Sequence, residues 1–418
     1  MRCDPARAGD AGGRPRLLIL GTRGIPGAHG GFESFAEDLA LFLTARGWDV
    51  TVYCQGEGAE VGERSWRGVR LVSIPATLGG ALGTILFDWR CTRHALREPG
   101  LVLVLGYNTA AFCAAYRLAG RPCVLNMDGV EWRRGKYGMA ARAWLWLNEL
   151  LGARLGTHLV ADHPEIERHV RTRAPRAAMT MIPYGAREVR GAEPAIVREH
   201  GLEPGAYALV IARPEPENSI LEIVRSFCAR ERGMRLAVLG RYDAGNAYHR
   251  QVLDAAGPEV SFLGAVYERE RVDALRAHAR LYVHGHTVGG TNPSLVEALG
   301  AGVPVLAHDN AYNRWVAGAA GVYFLDAADC EHAFDRLCDM RHAHLLAEMR
   351  SAARQQHETR FTLGRNLAAY ESMLRGAAGR DELVDAGADG EDAAPAGAVP
   401  VGAAMHAYDG SIARMDGR

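Results

Sequence analysis

The chain has 418 residues, 48% of them hydrophobic, and a formal net charge of −1. That length suggests two or three domains, each able to bury a core, and the neutral balance gives no electrostatic case for nucleic-acid binding. Its eight cysteines are scattered, without C-x-x-C or metal-ligand spacing, so the expectation is free thiols in a reducing cytoplasm and no metal.

Strands and helices alternate through the first half. Residues 16–23 (RLLILGTR) read as a strand and 30–47 (GGFESFAEDLALFLTARG) as an amphipathic helix stopped at Gly47. DVTVYCQ and VRLVSIPA are strands, LFDWRCTRHALREP a helix, LVLVLGYN a strand, TAAFCAAYRLAG a helix and PCVLNMDG a strand. The helix AARAWLWLNELLGARLG, the strand HLVAD, a short helix PEIERHVRTR and MTMIPYGA complete the set. The second half repeats the pattern from YALVIAR through MRLAVLG, VSFLGAV, RLYVHGH, VPVLAHD and GVYFLD. Two such runs predict two parallel α/β, Rossmann-like domains. The boundaries fall at 15–186 and 187–375, with a hinge near 186–205 and closing helices over about 331–373. Residues 1–14 and the Ala-, Gly-, Asp- and Pro-rich stretch 376–418 read as disordered. No apolar run reaches the roughly 20 residues of a membrane span, and no signal-peptide core follows the first charged residues.

Five stretches could carry chemistry. In VGGTNPSLVEALGAG (288–302), Asn292 is an N-cap and Pro293 fits the first helical position. The free N–H groups and dipole of that helix make an anion site in waiting. Gly289 and Gly290 let a ligand approach the backbone, Thr291 adds a hydroxyl, and Glu297 sits one turn inside. The alternative is an ordinary tight connection with a solvated glutamate. GTRGIPGAHGGFES (21–34) follows the first strand but is neither G-x-G-x-x-G nor a P-loop, and no acid ends the second strand, so a dinucleotide fold is disfavoured. It brings Arg23, His29, Glu33, Gly30 and Gly31 to a strand end. Asp128 ends another strand and either handles a hydroxyl or closes an Asx-turn. Asn108 and Thr109 contact a ligand or cap a helix. Arg213, and less so Arg241, suits phosphate or a surface ion pair with Glu215 or Glu217. Finally, 131–156 crowds Arg133, Arg134, Lys136 and Arg142 among Trp132, Tyr137, Trp144 and Trp146. That suits an anionic membrane surface or a core helix with a solvated basic start.

GTRGIPGAHGGFESFAEDL, GYNTAAF, NMDGVEWRRGKY, IPYGA, ARPEPENSI and VHGHTVGGTNPSLVEALGAGVPVLAHDN occur in this order over residues 15–372. With them the chain resembles the retaining, GT-B-fold glycosyltransferases of family 4. More narrowly it is similar to the bacterial rhamnosyltransferase-like branch of capsule and exopolysaccharide assembly. The resemblance implies two Rossmann-like domains facing across a cleft and transfer from a nucleotide sugar without metal or cofactor. The donor, dTDP-L-rhamnose by this resemblance, would lie on the second domain. The acceptor, a polyprenyl-diphosphate-linked saccharide, would lie on the first. No residue read here separates thymine from uracil. Glu297 matches a glutamate that holds the nucleotide ribose, while the family's other glutamate is replaced by Gly289. Arg213 matches a diphosphate arginine, and Asn218 stands where a lysine is expected. The implied catalytic set is Asp128, Arg213 and Glu297. The implied donor set is Gly289, Gly290, Thr291, Asn292, Arg241, Gly30 and Gly31, and the acceptor side Arg23, His29, Glu33 and Asn108. The resemblance places the protein in the cytoplasm, peripheral to the inner membrane face. A sugar-nucleotide epimerase or hydrolase, and a non-catalytic nucleotide-sugar sensor, remain as alternatives.

Overall fold

The computed structural model describes residues 14–27, 30–56, 58, 60–76 and 78–379. In the first domain the chain runs β1 (Arg16–Leu20), α1 (Gly31–Ala45), β2 (Asp49–Gly56), β3 (Gly62–Trp66), β4 (Val69–Pro75) and α2 (Gly80–Ala95). It continues through β5 (Leu101–Leu105), α3 (Cys113–Leu118), β6 (Cys123–Asn126), α4 (Met139–Leu155), β7 (His158–Ala161), α5 (Pro164–Arg173) and β8 (Met179–Met181). The eight strands lie in the order β3-β4-β2-β1-β5-β6-β7-β8. All neighbours are parallel except β3 and β4. Leu17 to Leu20 are all buried, the signature of a strand covered on both faces.

One element was not foreseen. β3, GERSW, is almost wholly exposed and has no apolar face to announce it. It pairs with β4 because Arg67 and Gly68 both adopt positive φ (49° and 85°), the two-residue turn whose twist suits an antiparallel hairpin.

The second domain holds α6 (Pro194–Glu199), β9 (Tyr207–Ile211), α7 (Ile220–Cys228), β10 (Arg235–Leu239), α8 (Ala247–Asp254), β11 (Val260–Gly264), α9 (Arg269–Ala277) and β12 (Leu281–His284). Then follow α10 (Pro293–Gly300), β13 (Val305–His308), α11 (Ala311–Ala317), β14 (Gly321–Phe324), α12 (Ala327–Cys338), α13 (Ala343–Gln356) and α14 (Leu363–Ala378). The six strands lie in the order β11-β10-β9-β12-β13-β14, parallel throughout. In each sheet the strand order reverses at one strand, β1 and β9. Open α/β sheets bind ligands outside the carboxyl ends at such a reversal.

The closing helices do not all stay with the second domain. A π turn at 357–361 redirects the chain after α13. Residues 186 and 362 then run side by side, with Ala186 N–H donating to Phe361 O and Leu363 N–H to Ala186 O, both 2.8 Å. Beyond that crossing, Leu367, Tyr370, Met373 and Leu374 of α14 join the core under β1 and α1. Asn126 of β6 donates to Tyr370 Oη at 2.9 Å. So α14 packs on the first sheet and reaches Ala378, past the boundary drawn at 375. Its apolar stripe announced a buried face without saying which sheet it would cover.

On the other face of the first sheet, α4 carries Glu149 inward, 1% exposed. Burial raises its carboxyl, but donors from His169 (2.9 Å), Trp132 (2.8 Å) and Arg173 (3.0 Å) outweigh that and hold it below the usual range. Glu149→Ala would leave buried donors unpaired, and a loss of about 3–5 kcal/mol in urea unfolding is expected. A loss below about 1 kcal/mol would mean that the three donors find water instead.

Candidate functional site

The carboxyl ends of the two sheets meet through loops. Asn292 caps α10 as its sequence implied, its side chain accepting the Ser294 N–H at 3.0 Å. Gly31, at the head of α1, faces that same turn: a Cβ there would lie 3.3 Å from Pro293 Cγ. Gly289 lies against the turn after β6, since a Cβ on Gly129 would sit 3.4 Å from the Gly289 backbone. Gly289 itself has φ +143°, a conformation side chains rarely adopt. Asp162, at the end of β7, binds the next two residues. Its Oδ2 accepts the Thr291 N–H at 2.9 Å, and Thr291 Oγ1 donates to the Asp162 carbonyl. A Cβ on Gly290 would overlap the Asp162 carboxyl at 2.3 Å, so only glycine fits.

Charges of both signs line this cleft. On the first domain, Asp128 follows β6 at φ 50°, its N–H bonded to Asn126 Oδ1 at 2.9 Å. Burial, and then Glu131, push its carboxyl up to about 7. Asp162 is 2% exposed, and its Oδ1 has no partner among the described residues. Burial, and then Asp128, push it up to about 8. On the second domain, Arg213 is exposed after β9, with its carbonyl held by Asn218 Nδ2 at 2.8 Å. Arg134 reaches across from the first domain and pairs with Glu217 at 2.8 Å.

Several expected ligand groups are already engaged. The Thr291 N–H, one residue ahead of the Asn292 cap, is taken by Asp162. Glu297 is half-exposed and ion-paired with Arg276, itself 5% exposed. Glu33 turns back to accept the Arg23 N–H at 3.2 Å, so it steadies the glycine loop. Asn218 is buried and structural. Asn108 is exposed, and its carbonyl accepts Trp144 Nε1 at 2.8 Å. Thr109 donates to Asp88 at 2.8 Å. The side chains of Arg23 and Arg241 are exposed and make no ion pair or hydrogen bond among the described residues. Gly30 caps α1 through its backbone alone, and His29 lies outside the described residues. Arg134 proves to be a cleft residue rather than part of a solvated basic start. Among the described residues, no group of three or more His, Cys, Asp or Glu could hold a metal ion.

Sequence reasoning missed Asp162, Arg276 and His286, and placed Arg134 on a membrane face or a helix start. HLVAD followed by His163-Pro164 reads as a plain strand end, and only the position of β7 beside β6 puts its aspartate on the opposite loop. The carbonyl of His286 accepts from Asn310 (3.0 Å) and Asn313 (2.9 Å), so the backbone ahead of the glycine loop is fastened at the start of α11.

Residues 30–185 match the family model described as a glycosyl transferase 4-like domain, and 209–340 that of glycosyl transferases group 1. No curated protein matches the chain significantly. Among solved structures, it is similar to sucrose-phosphate synthase of Thermosynechococcus elongatus (TM-score 0.71, 15% identity, 87% of this chain and 99% of that one). It is also similar to Anabaena HepE solved with UDP and glucose (TM-score 0.69, 16% identity, 87% and 100%). A UDP-forming α,α-trehalose-phosphate synthase of Burkholderia xenovorans gives a TM-score of 0.62 at 15% identity, over 86% of this chain and 100% of that one. At these identities the likeness is one of fold.

The buried Asp162 has a consequence for stability. Folded, it keeps its proton to about pH 8; unfolded, it loses it near pH 4, at about the ordinary aspartate value. Its contribution is therefore complete below about pH 4 and lost as pH rises toward 8. Asp162→Asn keeps an acceptor for Thr291 and is expected to flatten that fall, measured by urea unfolding across this range. An unchanged slope would show that Asp162 ionises normally in the fold.

Proposed function

The chain is a glycosyltransferase of the GT-B fold, and we propose that it moves a sugar from a nucleoside-diphosphate donor held on the second domain to a hydroxyl held on the first. One observation carries this reading. The capped head of α10, the first glycine loop at Gly31 and the guanidinium of Arg213, unpaired among the described residues, belong to the same cleft, at the carboxyl ends of both sheets. Helix amides and an arginine are the donors a diphosphate leaving group needs as its charge develops. The similar Anabaena protein was solved with UDP, which supports a nucleoside diphosphate as the ligand class.

In this reading Glu297, oriented by Arg276, takes a ribose hydroxyl, and Asp128 accepts a hydrogen bond from the attacking hydroxyl. Transfer with retention follows if attack comes from the leaving-group side and a phosphate oxygen takes the proton. The branch resemblance favours dTDP-L-rhamnose as donor and a polyprenyl-diphosphate-linked saccharide as acceptor. Exposed apolar side chains support a lipid-borne acceptor. Leu82 of α2 (74% exposed), Met139 (88%) and Trp146 (40%) of α4 lie on helices that share one face of the first sheet. No helix among the described residues is long and apolar enough to cross a membrane, so the contact proposed is peripheral.

Calorimetry with dTDP, UDP and GDP, without metal and then with magnesium, tests the donor site. Binding of one of them without metal is expected, and its base names the donor. Arg213→Ala is expected to lower kcat by about 10²–10³, the loss seen when one charge-stabilising donor is removed. Near wild-type turnover would move the diphosphate elsewhere. Because Asp128 acts ionised, kcat should rise with pH through about 7. Asp128→Asn should lower kcat and abolish that limb; a variant keeping both would take Asp128 out of the reaction.

A further inference from the structure

Two histidines flank the end of β12 ahead of the glycine loop, His284 as its last residue and His286 two residues on. His284 and His286 stack with ring centroids 4.2 Å apart and planes 11° from parallel. His284 is 1% exposed and both its ring nitrogens lack a partner among the described residues; His286 lacks one at Nδ1. A buried polar atom left unpaired costs about 1–3 kcal/mol, so a fold that keeps three of them side by side needs a reason.

The backbone around His286 is fastened on every side. A Cβ on Gly285 would strike the Asn218 carbonyl at 2.2 Å. The His286 carbonyl is held by two asparagine amides. The Thr287 N–H donates to Glu217 O at 2.9 Å, and Thr287 Oγ1 to the same oxygen at 3.0 Å. With His284 beneath it, the ring of His286 has little freedom, which is what a preorganised donor requires. Around it stand Arg213, Arg134 and, paired to Arg134, Glu217.

We propose that His286 is a further residue of the donor site, its imidazole donating an N–H to the diphosphate beside Arg213. This deepens the donor-site reading and rests on it. The surroundings also set the protonation state. Burial first, then Arg134 and Arg213, push His286 down to about 3, and burial takes His284 well below its ordinary value. The imidazole is therefore neutral at working pH. A neutral ring can stabilise charge on an oxygen by hydrogen bonding without giving up its proton, and it does not add a third cation to an already basic wall.

His286→Phe keeps the shape and the stacking but removes the donor, and His286→Gln restores an N–H. Calorimetry with UDP and dTDP against uridine and thymidine separates phosphate from base recognition, and thermal unfolding checks the fold of each variant. The expected result is a ten- to a hundred-fold weaker nucleoside diphosphate in His286→Phe, the loss of one hydrogen bond to a charged group. Nucleoside binding should be unchanged, and His286→Gln should recover part of the loss. The pH midpoint of kcat should not move in His286→Phe, since a neutral donor does not titrate. The proposal is overturned if His286→Phe binds the diphosphate within about twofold of wild type, or if diphosphate and nucleoside weaken alike. It also falls if His286→Phe removes a pH limb. Wild-type protein that binds neither diphosphate would instead bring down the donor-site reading, and this inference with it.

Discussion

The carboxyl of Asp162 against the Thr291 amide is the contact from which the rest of the cleft follows. It ties the end of β7 to the head of α10, and so joins two sheets that are otherwise separate cores. With that amide held, Gly290 has no room for a side chain, Gly289 is drawn onto Gly129, and Pro293 comes within reach of Gly31. Each of these glycines is a place where backbone meets carboxyl, backbone or ring. The glycine pairs in both loops therefore serve the meeting of the domains as well as access for a ligand.

Two kinds of electrostatics meet there. Half-buried Asp128 and buried Asp162 lie near each other, and both carboxyls are pushed toward neutrality. Opposite them, Arg213 keeps its charge in the open, while the two histidines are driven neutral. Proton-handling groups thus lie on the first domain, with Arg134 beside them, and Arg213 with the histidine donors on the second. A transfer needs that division, since the attacking hydroxyl must be oriented while the departing diphosphate is stabilised.

The two sheets are not independent bodies joined by one linker. The chain crosses between them at 186 and again at 362, and the crossings hydrogen-bond to each other. α14 then locks onto β6 through Tyr370 and Asn126. α14 is in this way part of the wall that carries Asp128, two residues beyond Asn126, whose side chain also holds the Asp128 N–H. Packing of α14 and placing of a site carboxylate run through one asparagine.

The sequence by itself determined the parallel strands of the two Rossmann-like domains, but not the antiparallel β3. Buried strands read as continuous apolar runs, and the signals that end them (Gly21, Asp128, Arg213, the Gly289-Gly290 pair) are local. The N-cap at Asn292 was legible for the same reason, because a capping bond spans two residues. Only the tertiary structure decided which of those groups are free. The Thr291 amide looked open until β7 brought Asp162 onto it. Glu297 read as a ribose ligand or a solvated carboxylate, and α9 placed Arg276 beside it. Arg134 sat among basic and aromatic neighbours that suggested a membrane face, and it entered the cleft only because Glu217 lies opposite. In each case the partner is remote in sequence, between 21 and 129 residues away. No periodicity or motif encodes such a pairing; it exists only once strand order has set the loops side by side.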